Sequence, residues 1–148
     1  EKFMSIMELN APDYMVRSFD PTDYLFGIIN LGPDSEATPF LLFRTTDFDR
    51  VFSGLLEWEV SMYRDVNDIF FKTLGTNDFL VSNSDAGFDP NSLQDVTISN
   101  RDARAIVNDN QEILFFYTFL NNDYLLMTSK KGVVDELVRK LTLQNLVR

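Results

Sequence analysis

In a chain without His or Cys the 23 carboxylates are the leading candidates for acid–base chemistry, and Glu59 is the one that its spacing singles out. It follows Phe48, Phe52 and Leu55 and precedes Met62 and Val66. At 100° per residue it falls about 20° from Phe48, within the apolar arc of an amphipathic helix. A carboxylate aimed into a core is costly unless it finds a cation or its pKa rises. The candidate cations are Arg44, which ends an apolar run just before the helix, Arg101, and Arg104, which opens a later run. Two roles follow. Glu59 is either one half of a buried structural pair, with Arg104 first and Arg44 otherwise, or the acid or base of a carboxylate-dependent hydrolase. The second role needs two acids facing one cleft about 5–9.5 Å apart. Glu57 falls on the polar side with Ser53, Ser61 and Arg64, so the stretch Leu56-Glu57-Trp58-Glu59 supplies one inward acid rather than two.

Other chemistries are excluded by what the chain lacks. There is no Cys and no His, which removes disulfides, thiolate nucleophiles, the Ser-His-Asp triad and most zinc or iron sites. No Gly-x-Ser-x-Gly elbow, Ser-x-x-Lys or glycine-rich phosphate loop occurs, so no cofactor and no catalytic residue is implied. Asn83, Asp85, Asp89 and Asn91 alternate oxygen-bearing side chains, but without the Gly and terminal Glu of a calcium loop they read as a solvated turn. Trp58, on the flank of the same helix as Glu59, reads as a core-edge aromatic. With Asp85 and Asp89 it is the alternative candidate for a ligand or partner surface.

The 23 acidic and 13 basic residues leave a net charge of −10, which repels phosphate backbones and anionic lipid, so nucleic acid is not an expected partner. No apolar run approaches the ~18 residues a membrane-spanning helix needs, so direct membrane insertion by this chain is not expected. With 45% hydrophobic residues, the 148-residue chain reads as one domain, 1–148. The absence of Cys leaves the compartment open. Glu1, rather than Met, opens the sequence, which reads as a processed or shortened chain.

The elements that must position these residues can be read coarsely. Residues 1–9 suggest a short helix stopped by Asn10-Ala11-Pro12. Residues 24–31 and 39–45 are apolar runs separated by turn material from Gly32 to Glu36. Thr46 or Asp47 offers an N-cap, with Asp49 in the first turn of the long helix that follows. Residues 75–95 form a long polar loop of the mobile or functional kind. Strands are expected at 103–108, 112–119 and 123–128, with turns at Asn108-Asp109-Asn110-Gln111 and Asn121-Asn122-Asp123. Residues 131–141 close as a helix that Leu143, Leu146 and Val147 extend. The class is α+β: an antiparallel sheet of about five strands with helices packed on one face. The order strand, strand, helix occurs at 24–58 and again at 112–141, which suggests a duplicated ββα unit.

Several short motifs carry a resemblance. Pro39-Phe40-Leu41-Leu42-Phe43, the stretch from Phe52 through Leu56-Glu57-Trp58-Glu59, and Met62 with Asp65 form the first set. Asn100-Arg101-Asp102-Ala103-Arg104, Tyr117-Thr118-Phe119 and Leu125-Leu126-Met127-Thr128-Ser129 form the second. Over residues 1–141 the chain resembles a family of uncharacterised proteins from uncultured, reduced-genome (candidate-phylum) bacteria. The resemblance implies an N-terminal membrane helix and a linker ahead of this domain, which would then stand on the extracytoplasmic face of the membrane; otherwise the domain is cytoplasmic. It implies no activity. The expected function is a non-catalytic interaction or assembly module with a protein partner. The alternatives are a carboxylate-dependent hydrolase of sugar or cell-wall substrate, and a domain binding a small apolar ligand, which the 14 Phe and 5 Met suggest.

Overall fold

The computed structural model describes residues 10–70 and 92–146. In chain order these form α1 (Asp13–Val16), β1 (Phe19–Asn30), β2 (Ala37–Thr45), α2 (Phe48–Phe70), β3 (Gln94–Ile98), β4 (Arg101–Val107), β5 (Ile113–Asn121), β6 (Tyr124–Thr128) and α3 (Lys131–Leu146). The strands make one sheet in the order β1-β2-β6-β5-β4-β3, antiparallel at every step. The class is α+β, with six strands where about five were expected. The additional strand is β3, whose Gln94 and Asp95 were expected in the 75–95 loop. The helix expected at 1–9, and the rest of that loop up to residue 91, lie outside the described residues.

Local chemistry sets the boundaries. The Asp47 carboxylate accepts the Arg50 N–H at 3.1 Å and so caps α2. Ser99 and Asn100 both have positive φ, 50° and 59°, which makes the β3–β4 connection a two-residue hairpin turn whose twist suits the flanking strands. Asn108 Oδ1 accepts the N–H groups of Asn110 and Glu112, and Asn121 Oδ1 those of Asp123 and Tyr124. Both turns form where asparagine side chains substitute for backbone partners.

Strand side chains alternate between faces, so a strand buried at consecutive positions must be covered twice. β2 is buried from Thr38 through Phe43, and β6 from Leu125 through Thr128. Leu41, Phe43, Phe115, Tyr117, Leu125 and Met127 pack with Val51, Leu55, Trp58 and Met62 of α2 and with Met15 of α1. Phe40, Leu42, Phe116 and Leu126 pack with Val133, Val134 and Leu137 of α3. Helices therefore cover both faces of the sheet, which corrects the expectation of one covered face.

The same finding removes the duplicated unit. The order strand, strand, helix recurs in β1-β2-α2 and β5-β6-α3. However, β2 and β6 are antiparallel neighbours, so a two-fold relating the halves would run perpendicular to the sheet and keep both helices on one face. They lie on opposite faces, so only the order repeats.

Candidate functional site

Asp95 on β3, Arg104 on β4 and Tyr117 on β5 lie directly opposite one another across three strands, on the sheet face that α2 covers. Glu59 projects from α2 onto this row. Arg104 Nε donates to Glu59 Oε1 at 2.8 Å and its Nη2 to Oε2 at 2.5 Å, a two-pronged guanidinium–carboxylate contact. The Tyr117 hydroxyl donates to Glu59 Oε1 at 2.7 Å. Arg104 Nη1 reaches outward to Asp95 Oδ1 at 3.0 Å, and that carboxylate is solvent-exposed.

Burial, reinforced by the hydrogen bond to Glu59, raises the Tyr117 pKa above the ordinary phenol range. The hydrogen bond to Glu59 raises that of the Arg104 guanidinium. A general acid would have to carry its proton on oxygens that already accept three donated hydrogens. Glu59 is thus engaged as an acceptor at the helix–sheet junction.

The other expected residues are dispersed. Arg44 is exposed at the end of β2 and pairs with Asp23 at 3.5 Å, not with Glu59. Arg101 donates to the backbone carbonyls of Ser99 and Leu120. Trp58 is only 1% exposed, and its Nε1–H donates to Asp65 Oδ2 at 2.7 Å. The other oxygen of Asp65 accepts from Asn10 Nδ2 at 2.9 Å. This indole therefore sits inside the α2 layer and presents no face to a ligand. Asp85 and Asp89 lie outside the described residues. Phe52, placed by periodicity on the core side, is exposed.

That exposure belongs to a cleft of about 570 Å³ beside α2, over β3, β4 and β5. Phe52 and Phe119 form its apolar wall, Asp95 and Asp102 its acidic rim, and Arg104 and Tyr117 its floor. Phe48 fixes the wall, with its ring 4.6 Å from that of Phe119 in an edge-on arrangement and 6.0 Å from that of Phe52. Beyond Phe52, Leu56 and Val60 continue as exposed apolar positions one turn apart along α2. No group of three or more potential metal ligands occurs among the described residues.

Sequence reasoning missed Tyr117, Phe119, Asp95 and Asp102. The signal for Tyr117 was a tyrosine within the apolar run Leu114-Phe115-Phe116-Tyr117, because a phenol buried in such a run needs a polar partner.

No protein-family model, no curated protein and no solved structure matches this chain.

Proposed function

We propose that the domain is a non-catalytic interaction module that holds a partner segment of apolar and cationic side chains in the cleft beside α2. The observation that carries this reading is the cleft's composition: an aromatic wall of exposed Phe52 and half-buried Phe119 faces an acidic rim, Asp95 and Asp102. Apolar contact with the wall gives affinity, and the rim adds charge complementarity on a domain of net charge −10. The inward acid that the helix spacing singles out, Glu59, is bound by Arg104 and Tyr117, and the buried side chain of Asp65 accepts from Trp58 and Asn10, which disfavours the hydrolase alternative. Display on the extracytoplasmic face by a preceding membrane anchor belongs to the same proposal and is supported by the resemblance of the short motifs. Among the described residues no helix is long and apolar enough to cross a membrane.

The test is selection of the domain against a random peptide display library. Enriched peptides should alternate aliphatic or aromatic residues with Lys or Arg, and their binding should weaken with salt. It should also be lost on Phe52→Ser or Asp102→Lys. Enrichment of acidic peptides, or of none, overturns the reading. Hydrolysis of cell-wall glycan that Glu59→Gln abolishes would establish the alternative.

A further inference from the structure

Sheet edges are where another strand can add, and natural sheets defend them with brevity, charge, proline or bulges. The β3 edge is defended, being five residues long with Gln94, Asp95 and Thr97 exposed. The β1 edge is defended only at its start. There Pro21 removes a backbone donor, the register breaks between Phe19 and Tyr24, and the Asp20 carboxylate accepts from both the N–H and the hydroxyl of Thr22. From Tyr24 to Leu31 no charged residue occurs. Tyr24, Leu25, Phe26 and Leu31 are exposed, and Ile28 is 59% exposed. Among the described strands, β1 pairs with β2 and with no other.

We infer that β1 is a self-association edge, and that two copies of the chain join antiparallel through residues 24–30 about a two-fold axis perpendicular to the sheet. Three observations select a second copy as the occupant. First, such an axis preserves faces, so Tyr24 and Ile28 of one copy meet Ile28 and Tyr24 of the other. Aromatic and β-branched cross-strand pairs of that kind are favourable. Second, domains of net charge −10 repel unless they touch through uncharged surface, and residues 24–31 supply it. The nearest charge, Asp23, is paired with Arg44 at 3.5 Å and lies opposite the uncharged end of the second strand. Third, joining the β1 edge to the β3 edge would set Asp95 beside the apolar strand and would not close, whereas the self-paired edge closes as a dimer.

The product is a continuous sheet of twice six strands. Both α2 helices share one face and the two clefts stand at opposite ends, far from the junction. Dimerisation and cleft binding are therefore separable.

Sedimentation equilibrium from low micromolar to submillimolar concentration tests this on the wild type, Ile28→Lys and Leu143→Lys. Leu143 is a comparably exposed apolar residue, on α3. The wild type should reach twice the chain mass, Ile28→Lys should be monomeric throughout with an unchanged circular dichroism spectrum, and Leu143→Lys should behave as wild type. Wild type that stays monomeric, Ile28→Lys that still dimerises, or equal loss in both variants overturns the inference. Amide exchange of the wild type covers the case in which Ile28→Lys misfolds. Protection at residues 24–30 should rise with protein concentration, and protection that does not change with concentration also overturns it.

Discussion

Arg104 sits between two carboxylates, one buried and one in solvent, and the difference decides what each contact contributes. Asp95 is exposed, so its pairing is worth little on the scale of surface ion pairs. Glu59 is buried. Removing Arg104 strands the buried Glu59 charge, and removing Glu59 leaves Arg104 only the solvent-exposed Asp95, at a cost of roughly 3 kcal/mol in either case for a site that retains some solvent access. Glu59→Gln and Arg104→Met should each lower the unfolding free energy by about that much. An apolar double replacement, Glu59→Leu with Arg104→Met, removes the charge but strands the Tyr117 hydroxyl, at a cost of about 1–3 kcal/mol. Recovery should therefore be incomplete in the double variant and larger in the triple variant that adds Tyr117→Phe, as denaturant titration of the set would measure. A Glu59→Gln domain as stable as wild type would show that the pair contributes nothing. Tyr117 adds a pH signature. Its folded pKa is raised, chiefly by burial, so an unfolded chain releases this proton first. The contribution of Tyr117 is complete below about pH 10, the ordinary phenol value, and is lost as pH rises above it. Tyr117→Phe should flatten that alkaline decline. Glu59 was legible because a helix places every residue relative to a stripe, and the need of a buried acid for a cation pointed to Arg104. Tyr117 and Asp95 were not, because their meeting depends on strand register, which the sequence does not state locally.

The elements differ in how much of their surroundings they disclose. α2 was readable end to end from its Asp47 cap and its period, but Phe52 was assigned to the wrong side. The buried stripe runs through Val51, Leu55, Trp58, Glu59 and Met62, rotated from a wheel drawn from Phe48. β3 escaped notice because it is short and polar, with Gln94, Asp95 and Thr97 exposed, and so lacks the alternation that marks a half-buried strand. The two-sided cover was in principle visible. Phe40-Leu41-Leu42-Phe43 and Leu125-Leu126-Met127 are unbroken apolar runs, which strands need only when both faces are covered. The α1–α2 contact depends on Gly54, since a Cβ at that position would overlap Met15 Cβ, and Met15 Cγ would lie 2.8 Å away. On helix propensity alone Gly54→Ala should stabilise by about 1 kcal/mol. Because the obstructing atoms sit next to the α1 backbone rather than at a flexible tip, it should instead destabilise by about 1–3 kcal/mol, as overpacked sites do. Thermal unfolding of Gly54→Ala gives the sign, and a raised midpoint would mean that α1 can move away at little cost.

At the scale of the molecule, two helical layers share one sheet, and their apolar side chains come from alternate residues of the same strands. Losing either layer would expose one face of β2, β5 and β6 to water, so neither face has a stable neighbour once the other has gone. A chain of this length with such shared strands should unfold in one cooperative step. The single tryptophan makes this measurable, since Trp58 lies in the α2 layer and its fluorescence reports that layer alone, whereas far-ultraviolet circular dichroism reports both. Leu137 packs in the opposite layer under α3, and Leu137→Ala should cost about 2–5 kcal/mol, as buried leucine truncations do. Leu55→Ala, on the tryptophan's own side, should cost a similar amount. If the layers are coupled through the sheet, Leu137→Ala shifts the denaturant midpoint of Trp58 fluorescence by as much as that of circular dichroism, with the slope unchanged. If the α3 layer melts by itself, circular dichroism moves early while Trp58 fluorescence stays at the wild-type midpoint, and the picture of one cooperative sheet fails.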